Sequence, residues 1–160
     1  MSDAQNEQLG QALGAIPSGL FIVTVGTGDE ATGFLASFVQ QVGFEPPVVT
    51  VAIKKGRHVL DLVRSGGRFV VSVIDPGSMG LLKHFARGFE PGQPAFEGLD
   101  VVLDDHDVPA PAGALARISC EVVGEADWTD HVLVAGKATG GSRRADSDPS
   151  VHLRKNGFSY

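Results

Sequence analysis

Apolar residues along this chain fall mostly in short continuous runs, separated by polar and glycine-rich turns. Residues 20–25 (LFIVTV), 48–53 (VVTVAI) and 69–74 (FVVSVI) are mostly β-branched and aromatic. Runs of this length without alternation predict strands covered on both faces. Residues 31–42 form another run, read as one bent strand. Residues 116–126 and 131–138 predict an antiparallel pair. Helical spacing appears in three places. Ser2 followed by Gln5 suits a capping box, and Leu9, Ala12, Leu13 and Ile16 give residues 3–15 one apolar face that Pro17 ends. Residues 57–65 carry Val59, Leu60, Leu62 and Val63 on one side, with Gly66-Gly67 as the stop. Asp75-Pro76 is an N-cap followed by proline at the first helical position, opening a short helix to about Ala86. Residues 87–98 read as a Gly/Pro-rich loop. Residues 100–107 and 109–114 read as an acidic, proline-punctuated excursion, and 140–149 as a polar, mobile loop. At least six strands with two or three interposed helices, and few βα alternations, favour an antiparallel barrel over a doubly wound sheet.

Composition narrows this further. A chain of 160 residues fits a single domain over 1–160 and can bury a core. The 21 glycines suit a β-rich chain with tight corners. A formal net charge of −6 argues against a nucleic-acid backbone as partner. No apolar run approaches the ~20 residues of a membrane span, and the polar N-terminus is unlike a signal peptide. The expected setting is therefore cytoplasmic. Cys120, the only cysteine, reads as a buried, unreactive thiol.

The stretch 33–47, GFLASFVQQVGFEPP, mixes Ser37, Gln40 and Gln41 with Phe34, Leu35, Phe38 and Val42. Such a mixture suits a flat, largely apolar ligand oriented by a few polar contacts. Lys54, Lys55, Arg57 and His58 cluster at a predicted helix start, where positive charge and free backbone N–H groups suit a phosphate. The other reading of that cluster is a solvated basic turn. Asp104, Asp105, His106 and Asp107 do not make a metal site, because consecutive strand side chains alternate in direction. No Ser/His/Asp or paired-carboxylate arrangement argues for hydrolysis.

Six segments in order resemble the flavin reductase-like FMN-binding family: ALGAIPSGLFIVTV (12–25), the 33–47 stretch, SGGRFVVSVI (65–74), HFA (84–86) with PAFEGLDV (94–101), DHVLVAGKA (130–138) and KNGFSY (155–160). The 33–47 stretch is most similar to reductase modules of flavodiiron and rubredoxin systems. The resemblance implies a mainly β fold, a Greek-key split β-barrel with peripheral helices, forming a homodimer. It implies an NAD(P)H-dependent FMN oxidoreductase, with FAD as the alternative flavin and NADH or NADPH as hydride donor. A redox protein or a monooxygenase would take the electrons. The alternative is a flavin-binding electron-transfer or interaction module without nicotinamide turnover.

Carried over by position, Gly33, Phe34, Leu35, Ala36, Ser37 and Phe38 would line the flavin, with Gly33 allowing close backbone approach. Ala52, Ile53 and Lys54 would meet it from the end of a strand, and His58 from the basic cluster. His84, standing where relatives carry Arg, is open to two readings: a flavin or phosphate contact beside Phe85, or a polar residue on an outer helix face. His131 borders the nicotinamide and flavin site in the family and is the candidate proton donor. Its other reading is a hairpin cap with Asp130. Phe158 and Tyr160 correspond to residues that close the pocket.

Overall fold

The computed structural model describes residues 1–144 and 146–159. Its elements run α1 (Asp3–Gly14), β1 (Ser18–Gly19), β2 (Phe21–Val25), β3 (Thr32–Ala36), β4 (Val39–Phe44), β5 (Pro47–Lys54), α2 (His58–Gly66), β6 (Arg68–Val73), α3 (Met79–Ala86), β7 (Val101–Leu103), β8 (Pro109–Pro111), β9 (Ala116–Asp127), β10 (His131–Arg143) and β11 (Val151–His152).

Seven strands form one antiparallel sheet in the order β3-β2-β6-β9-β10-β5-β4. Strands β3 and β4 lie at its opposite edges, yet only Ser37 and Phe38 separate them in the chain. The three Cα–Cα steps from Ala36 to Val39 span at most ~11 Å, so the sheet must curl until its edges approach. The result is a split barrel with Ser37-Phe38 at the seam, where Ala52 N–H donates to the Phe38 carbonyl at 3.0 Å. The predicted bent strand 31–42 is thus two strands. A single strand would have left β4 on the wrong edge.

Side-chain alternation divides the core. Val23, Val25, Phe34, Val51, Phe69 and Val134 meet Val59, Leu60 and Val63 of α2 in one cluster. On the other face of β2, Ile22 packs with Ile74, Phe85 and Ala95 under α3 and the loop after it. Gly67, in the left-handed conformation at φ 65°, ends α2 as its glycine pair implied. Cys120 belongs to the first cluster, and burial pushes its thiol up to about 12, which leaves it protonated and inert.

Three sequence readings change. The capping box of α1 is present, but Leu9 and Ile16 are exposed and the helix buries Gly10 and Gly14. A Cβ on Gly14 would lie 2.6 Å from the Arg154 carbonyl, so residues 154–158 pack where an apolar side chain was expected. Residues 140–143 are strand, because β10 pairs with β9 as far as Arg143↔Ala116. The acidic excursion holds the β7–β8 hairpin, which covers Val70 with Val108 and Ala110. Its tip is a turn in which the Asp104 carboxylate accepts the N–H groups of His106 and Val108. No group of three or more possible metal ligands occurs among the described residues, and no helix there is long and apolar enough to cross a membrane.

Asp75 ties the approach to α3. Its buried carboxylate accepts the Ser78 hydroxyl at 2.6 Å and faces Arg144 Nη2 at 3.4 Å. The Ser78 hydroxyl foremost holds this carboxyl below the usual range against the opposing effect of burial. A bond from Ser147 and the Arg144 charge assist. A depressed folded value means the stabilisation is present above the unfolded pKa and is lost as pH falls through the folded one. Asp75→Asn is therefore expected to melt at a lower temperature than the parent at pH 7. The gap should narrow as pH falls below about 4. Thermal melts across that range check it, and a gap independent of pH would contradict it.

Candidate functional site

The end of β3 with Ser37, the end of β5, the start of α2, the end of α3 and the first residue of β10 converge on a cavity of about 430 Å³. Eight of the residues singled out from the sequence line it: Phe34, Leu35, Ala36, Ser37, Ala52, Lys54, Phe85 and His131. Alternation along β5 turns Ala52 and Lys54 to the cavity and Ile53, 2% exposed, into the barrel.

Five predicted residues do not line it. Ile53 is core, for that reason. Gly33 is buried behind the wall. A Cβ there would lie 2.8 Å from the Phe85 ring and 3.1 Å from Thr24 Cγ2, so this glycine admits α3 rather than a ligand. Phe38 lies on the far side of the seam, over a second groove of about 670 Å³. Its ring meets His131 edge-on at 6.1 Å and carries the Arg154 guanidinium at 4.9 Å. His58 starts α2 outside the lining, and Arg57 before it takes the wall position, its guanidinium 5.1 Å from the Phe34 ring centre. His84 donates from Nε2 to the Ala95 carbonyl at 2.8 Å and packs on Phe85 and Phe89, which fastens α3 to the loop after it. Gln40 and Gln41 bond nearby carbonyls and also face the second groove. Phe158 packs near Gly10, and Tyr160 lies outside the described residues.

Sequence reasoning missed Leu20, Ala86, Gly88 and His152 as wall residues and named Arg57 only within the basic cluster suited to a phosphate. His152 arrives through a two-residue pairing, Ser18↔His152. Nothing local in VHL signals so distant a contact.

Three features set the chemistry. First, Ser37 is 5% exposed, and its Oγ has no hydrogen-bond partner. An unpaired buried hydroxyl costs ~1–3 kcal/mol, and this one borders the cavity. Second, Lys54 and Arg57 bring positive charge to the wall, and no side chain caps the N-terminus of α2. Third, His131 Nδ1 lies 3.0 Å from Asp130 Oδ1. This contact foremost holds the Asp130 carboxyl below the usual range, with the charges of His131 and Lys54 assisting against desolvation. Because Asp130 is exposed, the pair orients the ring more than it stabilises the fold. A proton at Nδ1 leaves Nε2 as the other ring position. An apolar-walled cleft with one unpaired hydroxyl, two cations and a free helix N-terminus fits a planar ring system carrying a phosphate.

Comparison with known proteins agrees. Residues 13–159 match the family described as flavin reductase like domain. Diflavin flavoprotein A 1 of Synechocystis sp. is 36% identical over 157 residues, which covers 97% of this chain and 27% of that protein. The chain thus spans about a quarter of that relative's length. Among solved structures, the NADH:FAD oxidoreductase SgcE6 of Streptomyces globisporus superposes with a TM-score of 0.85 at 27% identity, covering 97% of this chain and 92% of that one. The same protein in complex with NAD and FAD fragments gives 0.83 at 26%, covering 98% and 93%. The fold is that of a flavin reductase-like split barrel. The chain belongs to the flavin reductase like domain family.

Proposed function

We propose that the chain holds FMN in this cavity, takes reducing equivalents from NADH or NADPH, and hands them to another redox centre. The observation that carries the reading is the Ser37 hydroxyl, buried without a partner at the edge of an apolar cavity whose rim is cationic. A bound flavin supplies the hydride and electron chemistry, and the protein supplies binding, orientation and electrostatics. Phe34, Leu35 and Ala52 give the ring system apolar walls. Ser37 gives it one directional hydrogen bond. Lys54, Arg57 and the N-terminus of α2 take its phosphate. His131, oriented by Asp130, holds an exchangeable proton beside the site. Phe85 closes the back of the cavity against water.

The resemblance to SgcE6, an NADH:FAD oxidoreductase, supports a nicotinamide donor and keeps FAD as the alternative flavin. The relative named for two flavins, of which this chain covers 27%, supports delivery to a second redox centre. Homodimerisation, which rests on the family resemblance, and a cytoplasmic setting belong to the same reading.

An anaerobic titration tests it. FMN is added to saturation, then NADH, then NADPH, while the visible flavin band is followed. Bleaching at a catalytic rate by either nucleotide is expected. A bound flavin indifferent to both would make the chain an electron-transfer or binding module. In the same assay Ser37→Ala should loosen FMN about fivefold. Without ligand that variant should be more stable by about 1 kcal/mol, since it removes an unpaired buried hydroxyl. Unchanged FMN affinity would remove Ser37 from the site.

A further inference from the structure

Trp128 is the only tryptophan in the chain, and it is 79% exposed. It stands in the turn between β9 and β10, three residues before His131, which lines the cavity. At that exposure its indole contributes little to the core and presents its face to solvent. The turn that carries it is fixed to the cationic end of β5. Lys55 N–H donates to the Asp130 carbonyl at 3.0 Å, the Lys55 ammonium pairs with Asp127, and Lys54 stands opposite His131 in the β5–β10 register. Lys54 thus lines the cavity, and the Lys55 ammonium reaches Asp127, the residue before Trp128.

We propose that Trp128 is a stacking platform for the adenine ring of a dinucleotide whose other half occupies the cavity. The inference rests on the flavin and nicotinamide reading above and extends it to the adenosine half. A dinucleotide has two ring systems joined by a pyrophosphate, and Lys54 at the cavity and Lys55 beside the turn supply positive charge for it. The surroundings favour a small planar ligand over a protein interface. The strand leading into the Trp128 turn carries two charged pairs, Lys55–Asp127 and Arg64–Glu125, the latter joined by two hydrogen bonds of 2.8 and 3.1 Å. Interface cores are depleted in such charges. Asp127, balanced by Lys55, and Asp130, held by His131, can accept hydrogen bonds from a ribose or an adenine amino group. The dinucleotide is either the nicotinamide donor or FAD, and both present the same adenosine diphosphate.

Intrinsic tryptophan fluorescence of this chain reports Trp128 alone, so the test reads the residue directly. ADP-ribose should quench it saturably, whereas inorganic phosphate and ribose 5-phosphate should not. Trp128→Ala should weaken FAD about tenfold with FMN unchanged if the flavin supplies the adenine. It should weaken NAD+ about tenfold with NMN+ unchanged if the nicotinamide nucleotide does. Trp128→Phe should keep most of the affinity in either case. Because the side chain is exposed, neither variant should alter the melting temperature. FMN binding is measured on the same preparations. A chain that binds FMN but shows no saturable quenching by ADP-ribose, or whose two affinity ratios are unmoved by Trp128→Ala, overturns the platform alone. A chain that shows the quenching but does not bind FMN overturns the flavin reading and leaves the platform standing.

Discussion

Gly33→Val is expected to destabilise the fold by about 3 kcal/mol, the upper end of the usual cost of overpacking a core. The residue is buried in β3, paired with Thr24 of β2. A Cβ at this position meets the Phe85 ring at 2.8 Å and Thr24 Cγ2 at 3.1 Å, and the two valine methyl groups extend further. Phe85 is 1% exposed and held by His84, Phe89 and Phe96 on its other sides, so it has no room to retreat. The strain must move α3, and α3 carries a wall of the cavity. Flavin retention should therefore fall as a consequence of displacement, together with stability. A valine that blocked only the ligand would leave the melting temperature unchanged. The double variant with Phe85→Leu separates the two. If contact with the Phe85 ring is the cause, removing the ring recovers part of the lost stability, and the cycle shows coupling beyond about 0.5 kcal/mol. Denaturant melts of the four proteins measure it. Additive losses would place the clash elsewhere.

The same position shows where the sequence was legible and where it was not. Glycine in the 33–47 stretch reads as a place of close approach, and it is one. Whether a ligand or a helix approaches depends on α3, fifty residues away in the chain, and no local pattern reports that. The three apolar runs at 20–25, 48–53 and 69–74 were readable because burial on both faces leaves an unbroken hydrophobic signature. The break at Ser37-Phe38 was not readable, because each half is a good strand and the change of sheet edge is a property of closure. The wall residues Ala52 and Lys54 follow from strand alternation. Ile53 between them shows that a contiguous site motif on a strand includes one residue that faces the core. His152 and Leu20 were out of reach for the same reason as the role of Gly33. Both come to the cavity through tertiary contacts rather than through a motif.

Lys54→Ala is expected to weaken FMN binding about tenfold while leaving the fold intact. The side chain is exposed and follows the last core residue of β5, so little packing is lost. A charge-assisted hydrogen bond to phosphate is worth ~1.5–3 kcal/mol, which corresponds to roughly ten- to hundredfold in affinity. Solvent exposure places Lys54 at the lower end. The signature is in the ligand comparison. Riboflavin, which has the same ring system and ribityl chain but no phosphate, should bind parent and variant alike, so the preference for FMN over riboflavin should collapse. Raising salt should weaken FMN in the parent more than in the variant. Arg57→Ala is the harsher test, because that side chain also stacks on Phe34 and its loss should affect riboflavin too. Arg57→Lys keeps the charge and removes the flat stacking surface. It should spare the FMN preference and lower affinity for both ligands. If Lys54→Ala lowered riboflavin affinity as much as FMN affinity, the lysine would be acting on the ring system. The phosphate would then belong to Arg57 and the α2 N-terminus alone.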